Sequence, residues 1–297
     1  MPNFLILGAA KAGTTSVFHY LNQHPEIYMS PVKEPRFFAP EFYQTYCHGL
    51  LRSNARKTNF TLAEYQSLFA GVSDEVAIGE ASTEYLYFSE TPKRIKQTIP
   101  NAKLIAILRN PIERAYSAFS YQVRDGCETL SFERALQNEA KRIENKWRPG
   151  WHYKECGFYY TQLKRYFDVF ESEQIRVYLY ENLKIDPLSF VRDIYRFLEV
   201  DPSFVPILSR KNTSYIPKNK YINSLIVKDS LFKSTVKNIL PSNITQAIAK
   251  KVKIINISSE TKLNSKVRQQ LLQAYKKDIL ELENLLQKDL SLWLEKS

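Results

Sequence analysis

A short apolar run that ends in a loop of small residues is the part of this sequence best suited to chemistry. Residues 4–7, Phe-Leu-Ile-Leu, stop at Gly8, and a loop that contains Lys11 and Gly13 leads into three hydroxyl residues at 14–16. An apolar run bounded by glycine is typical of a buried strand, and the apolar residues after position 16 favour a helix. The N–H groups of such a loop, with the positive end of the helix, bind anions. The stretch therefore predicts an anion-binding loop.

The spacing within this loop distinguishes between kinds of anion. Gly8 and Gly13 have the separation of a nucleoside-triphosphate loop, Gly-x-x-x-x-Gly-Lys-Ser/Thr. Here Thr14 occupies the lysine position, and Lys11 lies inside the loop instead. We therefore expect Lys11 to contact a shorter anion, with hydroxyl donors from residues 14–16. A kinase with a degenerate Walker loop and a turn that binds no ligand stay open as alternatives.

A second candidate anion contact follows a later apolar run. Residues 103–108 predict a strand that leads directly into Arg109, and Pro111 then opens a helix that carries Ser117. A triphosphatase would place an Asp at the end of such a strand to help hold magnesium. An arginine can instead grip a phosphate at two oxygens, and Ser117 can add a hydroxyl donor from beside the buried stripe of the helix. The alternative is a salt bridge between Arg109 and Glu113.

Glu34 is the candidate general base. Pro35 directs it away from helical geometry, and a pair of phenylalanines at 37–38 follows as an anchor in the core. A carboxylate near apolar rings can have a raised pKa, which suits it to accept a proton from an attacking hydroxyl or amine. In the alternative interpretation, Glu34 pairs with Lys33 or Arg36 at the surface.

Together these motifs resemble the sulfotransferases that use 3′-phosphoadenosine 5′-phosphosulfate (PAPS). Their first loop is close to Gly-x-x-Lys-x-Gly-Thr-Thr/Ser, and their 3′-phosphate motif is an Arg at a strand end with a Ser eight positions later. In the branch that includes heparan sulfate and other carbohydrate sulfotransferases, the base is a Glu three residues before an aromatic pair, as Glu34 is here. The resemblance implies in-line sulfuryl transfer from PAPS without a metal, with Lys11 and Glu34 as catalytic residues. It assigns the cofactor to Lys11, Ala12, Gly13, Thr14, Thr15, Ser16, Arg109, Ser117, Arg210, Lys211 and Asn212.

The resemblance also implies an acceptor site. It assigns acceptor contacts to Glu34, Arg36, Glu80 and Tyr85, since Glu80-Ala-Ser-Thr-Glu-Tyr85 is similar to the family's Glu-Lys-Ser/Thr-x-x-Tyr segment. Ala81 stands where the glycosaminoglycan enzymes have a lysine, which weakens a heparan-type acceptor more than it weakens the chemistry. We expect a saccharide hydroxyl or amine as the acceptor. A lipid or a secondary metabolite is the alternative acceptor, and a non-catalytic binding module is a further alternative function.

The elements that must position these residues alternate between strands and helices. This alternation predicts an α/β fold, a single P-loop-like domain over residues 1–297 with a central, mainly parallel sheet flanked by helices. In such folds the ligand binds at the carboxyl ends of the strands. The absence of a Gly/Ser linker, a repeat or a low-complexity block favours one domain.

Charge and cysteine content bear on the partners and the compartment. Much of the net charge of +11 lies in residues 209–253, which hold ten basic residues against Asp229 alone. Within it, residues 221–253 predict a basic amphipathic segment that contacts an anionic acceptor or a membrane surface, with a solvated helix face as the alternative. The three scattered cysteines lack metal-ligand spacing and favour reduced thiols. Since no signal or membrane-spanning run is apparent, we expect a cytoplasmic protein with a glycan or small-molecule acceptor and no nucleic-acid partner.

Overall fold

A parallel sheet forms the centre of the computed structural model, which describes residues 1–46, 48, 59–208, 216–217, 257–258 and 263–295. Its strands are β1 (Phe4–Gly8), β2 (Ile27–Met29), β3 (Ala77–Ala81), β4 (Lys103–Leu108) and β5 (Ile175–Leu179). They run in the order β2-β3-β1-β4-β5, and every neighbouring pair is parallel. The predicted α/β fold with a central parallel sheet is confirmed.

Residue types explain why β1 and β4 lie in the middle of the sheet. All five residues of β1 are buried, and β4 is buried from Leu104 onward. Continuous apolar runs are typical of parallel strands that are covered on both faces. Leu5 of β1 pairs with Glu80 of β3 on one side and with Leu104 on the other. The chemistry of the loop after β1 is thus flanked by β3 and β4.

Helices surround this sheet, and two short antiparallel strands, β6 (Ile216–Pro217) and β7 (Ile257–Ser258), pair apart from it. Within the described ranges, no helix is both long and apolar enough to cross a membrane. The described α-helices are α1 (Thr14–Leu21), α2 (Glu41–Gln44), α3 (Leu62–Ser67), α4 (Thr91–Thr98), α5 (Pro111–Arg124), α6 (Phe132–Gln137), α7 (Glu139–Glu144), α8 (Tyr159–Phe167), α9 (Tyr180–Ile185), α10 (Pro187–Leu198) and α11 (Ser265–Leu286).

Side-chain caps define several helix starts. Thr61 and Glu64 form a capping box at α3, and Asp186 accepts the Ser189 N–H at the start of α10. The sequence predicts Thr61 as the cap of a helical stretch over residues 62–70 and Asp186 as the cap of a helix that begins at Pro187, and both starts are confirmed. The Thr91-Pro92 pair predicts Thr91 as the cap of a helix that ends near residue 98, but in α4 Thr91 is the first helical residue and Glu90 is the N-cap.

The sequence predicts one helix over about residues 131–144, but the structure has two there, α6 and α7. The break falls at Asn138, whose side-chain amide donates to the Arg134 carbonyl at 2.8 Å. Asparagine side chains compete with the backbone for such hydrogen bonds and so favour helix ends.

The last long helix, α11, packs against α8. Tyr275 is completely buried, and its hydroxyl donates to the Lys154 carbonyl at 2.8 Å. Asp278 accepts the Tyr160 N–H at 3.1 Å, close to the start of α8. Residues beyond position 263 therefore return to the sheet-and-helix body.

The carboxyl ends of β3, β1 and β4 open at the same edge of the sheet. Neighbouring strands lie about 4.8 Å apart, so β3 and β4 are about 10 Å apart across β1. The Glu34 N–H donates to the Ala81 carbonyl at 2.9 Å, which holds residues 34–38 beside the end of β3. This edge thus collects the loop after β1, the residues after β3 and β4, and the segment around Glu34.

Candidate active site

The loop between β1 and α1 has the backbone of an anion-binding turn. Lys11 and Gly13 have φ values of 74° and 88°, in the left-handed region. At Gly13 a Cβ would lie 2.8 Å from the Leu183 side chain, so the turn requires glycine. Gly13 is also the N-cap of α1, whose first turn holds no acidic residue. The first N–H groups of a helix point away from its backbone carbonyls, so those of Thr14 and Thr15 can bind an anion here.

The predicted hydroxyl and small residues line this turn to different degrees. Thr14 is buried, Thr15 and Ser16 are half-buried, and Ala12 is fully buried. The Ser16 N–H already donates to the Gly13 carbonyl at 3.0 Å. Thr15 and Ser16 therefore present the more accessible of the three hydroxyl groups.

Lys11 meets α5 as well as the end of β4. Its ammonium nitrogen lies 4.1 Å from the centre of the Tyr121 ring, and the Arg124 guanidinium lies 4.4 Å from the same ring. The Lys11 carbonyl accepts a hydrogen bond of 3.4 Å from Arg109. Sequence reasoning missed Tyr121 and Arg124, although Tyr121 lies one helical turn after Ser117 and so on the same face of α5.

Arg109 is fixed at the end of β4 by aromatic residues. The Tyr159 hydroxyl donates to its carbonyl at 3.0 Å, and its guanidinium lies 5.0 Å from the Tyr180 ring. The alternative pair with Glu113 exists but is long, at 3.8 Å, and Glu113 lies closer to Arg268 of α11, at 2.9 Å. Arg109 therefore lies beside Lys11, and its ion pair with Glu113 in the first turn of α5 is long.

Ser117 lies on the buried side of α5. Its side chain is 6 % exposed, whereas the sequence placed it beside the buried stripe. Glu113, Ser117 and Tyr121 share one face of α5 at four-residue spacing. This face runs from Arg109 to Lys11, so Ser117 is part of the same edge.

Glu34 lies in a cluster of charged side chains. Its carboxylate pairs with Lys33 at 3.0 Å and with Arg36. The Arg36 Nε lies 2.9 Å from the Glu84 carboxylate, so Arg36 stands between two carboxylates. The Thr83 hydroxyl donates to Glu34 at 3.4 Å. The pairing that the sequence left open as an alternative is therefore present.

The predicted rise in the pKa of Glu34 is wrong. Burial alone would raise this pKa, but the charges of Arg36 and Lys33 outweigh burial and lower it from 4.5 to about 2. The apolar rings that motivated the prediction face elsewhere, since Phe37 stacks on Tyr65 at 4.2 Å. For Glu84, burial and the charge of Glu34 raise the pKa despite Arg36.

Glu80 and Tyr85, which were predicted to contact the acceptor, are both completely buried. Glu80 instead accepts hydrogen bonds from the hydroxyls of Tyr85, Ser82 and Tyr65, at 2.5, 2.9 and 3.2 Å. Burial raises the pKa of Glu80 from 4.5 to about 7. In this structure neither side chain has a surface that an acceptor could touch.

The predicted residues meet at the carboxyl edge of the sheet from two sides. Arg109 contacts Lys11 directly. On the other side, Thr83 contacts Glu34, and the Thr83 carbonyl lies 3.0 Å from where a Cβ on Gly8 would be. The loop after β1 therefore lies between Arg109 and Glu34. The predicted cofactor residues Arg210, Lys211 and Asn212 and the basic segment 221–253 lie outside the described residues.

Comparison with known proteins identifies the family of this fold and site. The model of the sulfotransferase family matches residues 2–204. The chain belongs to this family. The prediction of a sulfotransferase, made from the loop after β1, Glu34 and Arg109, is confirmed at that level.

A solved relative supports the same assignment over nearly the whole sulfotransferase chain. The crystal structure of a sulfotransferase from Alicyclobacillus acidocaldarius is 34% identical, with a TM-score of 0.78, and the match covers 99% of both chains. The match therefore supports the predicted fold along the sheet and along α11 alike.

Curated relatives of this sulfotransferase are much longer proteins. The membrane-associated sulfotransferase kil1 of Dictyostelium discoideum is 34% identical over 162 residues, which are 52% of this chain and 32% of that protein. A bifunctional heparan sulfate N-deacetylase/N-sulfotransferase, number 4 of Mus musculus, is 25% identical over 217 residues, 69% of this chain and 23% of that protein. The chain thus spans a third or less of the length of these relatives.

Proposed function

We propose that this sulfotransferase moves a sulfuryl group from PAPS to a hydroxyl or amine of a saccharide, with Glu34 as the base. The observation that carries the proposal is the meeting of Lys11 with Arg109 on one side of the loop after β1, and the approach of Thr83 and Glu34 on its other side. Sulfuryl transfer from PAPS needs cations that bind the charged donor and a base that accepts the proton of the acceptor. Lys11 and Arg109 can supply the cations, and Glu34 can supply the base.

The residues at this edge fit the donor. Gly13 leaves the space that a Cβ would fill, and the first turn of α1 offers backbone donors without a competing acid. Arg109 offers a planar pair of N–H donors that match a phosphate, and Ser117 lies on the same side of α5. In our proposal the loop and Lys11 hold the 5′-phosphosulfate, while Arg109 and Ser117 hold the 3′-phosphate.

PAPS, when bound, supplies an activated sulfuryl group. Lys11 neutralises the negative charge that grows on the transferred group and on the leaving phosphate. In the structure its ammonium lies 4.1 Å from the centre of the Tyr121 ring, at the edge of the sheet where the loop opens. The backbone donors of the loop stabilise the same charge without having to reorganise.

Glu34 receives the proton of the attacking hydroxyl or amine. Its low pKa keeps it ionised at neutral pH, so it is able to accept a proton, but its pairs with Arg36 and Lys33 make it a weak base. In our proposal the acceptor binds among these charges and loosens the pairs, which raises the basicity of Glu34 when it is needed.

The names of the relatives support a saccharide acceptor. Several are heparan sulfate N-deacetylase/N-sulfotransferases, at 24–26% identity over about two thirds of this chain. Ala81, at the end of β3, departs from the lysine of that branch. We therefore propose a saccharide hydroxyl or amine without assigning the heparan sugar itself.

Two measurements test the proposal. Calorimetric titration with adenosine 3′,5′-bisphosphate in EDTA should show binding, whereas ATP with magnesium should bind far more weakly. The purified protein should then transfer label from [35S]PAPS to one of a panel of desulfated and N-deacetylated glycans, with a lipid extract and phenolic metabolites as the other arms. Metal-dependent ATP binding without bisphosphate binding would favour the kinase alternative. Bisphosphate binding without transfer to any acceptor would favour a binding module.

A further inference from the structure

Three hydroxyl groups from different parts of the chain converge on the buried carboxylate of Glu80. Tyr85 and Tyr65 donate to one carboxylate oxygen, at 2.5 and 3.2 Å, and Ser82 donates to the other, at 2.9 Å. Glu80 is completely buried at the end of β3, as are Tyr65, Ser82 and Tyr85. A buried carboxylate is retained only where hydrogen bonds compensate for lost water, and here hydroxyl groups supply all three of the bonds described.

Each of these hydroxyl residues also contacts one of three consecutive residues in the segment after β2. The Ser82 oxygen accepts the Arg36 N–H at 3.0 Å. The Tyr65 ring stacks on residue 37, with ring centres 4.2 Å apart and planes 8° apart. The Tyr85 oxygen accepts the N–H of residue 38 at 3.4 Å. The side chains that donate to the Glu80 carboxylate therefore also contact residues 36–38.

The segment that is held has an unfavourable backbone. Glu34 and Arg36 have φ values of 61° and 55°, in the left-handed region that non-glycine residues rarely adopt. Residues in this region persist only where surrounding contacts determine them. The hydrogen bond from the Arg36 N–H to Ser82 is one such contact, and the bond from the Glu34 N–H to the Ala81 carbonyl is another.

We propose that Glu80 is a positioning residue that fixes the backbone of residues 34–38, and with it the carboxylate of Glu34 and the guanidinium of Arg36, through Ser82, Tyr65 and Tyr85. The part of this inference that concerns catalysis rests on the proposed function, because it takes Glu34 to be the base. The part that concerns the backbone does not. Glu80 thus acts on the acceptor side of the site without touching an acceptor.

Hydrogen–deuterium exchange of the full chain tests the backbone part. Glu80→Gln keeps the shape but leaves one acceptor oxygen where the hydroxyl groups of Tyr85, Tyr65 and Ser82 donate to two, so amides in a peptide that covers residues 34–38 should exchange about tenfold faster or more. Peptides from the loop after β1 should be unchanged. Glu139→Gln is the matched control, since Glu139 is also a buried carboxylate and accepts the N–H groups of Lys154 and Glu155 instead.

Ser82→Ala keeps the test decisive if Glu80→Gln does not fold. It removes the hydroxyl that donates to Glu80 and accepts the Arg36 N–H, so exchange at that amide should again accelerate. Unchanged exchange over residues 34–38 in the folded variants would overturn the proposal, and so would equal acceleration in Glu139→Gln.

Kinetics with PAPS and an acceptor identified by the glycan screen test the catalytic part. For Glu80→Gln we expect kcat to fall about tenfold or more, while the KM for PAPS and the Kd for adenosine 3′,5′-bisphosphate stay within twofold of the wild type. A general loss of structure would instead weaken bisphosphate binding together with kcat, which would overturn the positioning role. If the wild type binds no bisphosphate, the proposed function fails, whereas the exchange experiment still decides whether Glu80 holds the segment.

Discussion

Replacing Glu34 by glutamine removes one negative charge from the proposed acceptor site with little change of shape. If Glu34 is the base, transfer should fall by about 10²–10⁴-fold, the usual contribution of a positioned general base. This corresponds to about 3–5 kcal/mol of activation free energy. Binding of adenosine 3′,5′-bisphosphate should be unchanged, because Glu34 contacts Lys33, Arg36 and Thr83 rather than the anion-binding turn itself.

The same change has a bounded cost in stability. The pKa of Glu34 is lowered from 4.5 to about 2, and a difference of this size corresponds to a net preference of the folded state for the charged form of at most about 3–4 kcal/mol, after the opposing effect of burial. The cost of the variant should be smaller than this bound because Arg36 keeps its pair with Glu84, 2.9 Å away. The variant should therefore remain folded, so that lost transfer reports on chemistry.

The assay compares label transfer from [35S]PAPS with calorimetric binding of the bisphosphate. Glu41→Gln is a suitable control, because Glu41 pairs with Arg94 at 2.7 Å and its side chain is 23% exposed, against 26% for Glu34. The control should lose little transfer. Normal turnover by Glu34→Gln would refute the assignment of the base, and equal losses in both variants would show that any broken ion pair has the same effect.

Four further predictions follow from the described contacts. Lys11→Ala should lower kcat about a hundredfold or more, because it removes the cation that stabilises the developing charge; a loss confined to the KM for PAPS would contradict this role. Arg109→Ala should weaken binding of adenosine 3′,5′-bisphosphate about tenfold or more in calorimetry but leave adenosine 5′-phosphate unaffected, and an equal loss for both would place Arg109 elsewhere. Gly13→Ala should lower the free energy of unfolding in urea by about 1–3 kcal/mol, because φ at Gly13 is 88° and the new Cβ would lie 2.8 Å from the Leu183 side chain. An unchanged urea midpoint would show that the turn can relax. Between pH 5 and 8 the wild type should lose stability relative to Glu80→Gln as the pH rises. The pKa of Glu80 is about 7 in the native state rather than 4.5, so in this range the native state binds more protons than the unfolded state. Parallel profiles of urea midpoint against pH would contradict the raised pKa.

Local patterns were sufficient to predict the elements that position the site. The apolar runs of β1 and β4 are continuous because both faces are covered, and both were predicted within a residue of their ends. Caps at Thr61 and Asp186 gave helix starts through short-range chemistry. The contact between Lys11 and Arg109 followed from the fold class, since the loops after neighbouring parallel strands open at one edge.

Contacts between residues distant in sequence could not be predicted in this way. Tyr121 reaches Lys11 only because α5 packs beside the loop after β1. Arg268 lies in α11 and meets Glu113 across the fold, with no local pattern to signal it. Residues 37–38 suggested an apolar setting for Glu34, but the left-handed backbone at Glu34 and Arg36, with φ values of 61° and 55°, turns the chain between the carboxylate and the rings. The Phe37 ring packs against Tyr65, while the carboxylate faces Lys33 and Arg36.

Two carboxylates near the end of β3 show why the environment decides the chemistry of a glutamate. Glu80 is completely buried and Glu34 is half-buried, and burial alone would raise the pKa of each. Glu34 faces the cations of Lys33 and Arg36, so its pKa falls to about 2 and the residue stays charged. Glu80 faces neutral hydroxyl groups that stabilise its charge less, so its pKa rises to about 7. Ser82 donates to Glu80 and accepts the Arg36 N–H, so the contacts around Glu80 position the Arg36 guanidinium that keeps Glu34 ionised. A change at Glu80 should therefore reach Glu34 through the position of Arg36 rather than through direct electrostatic contact.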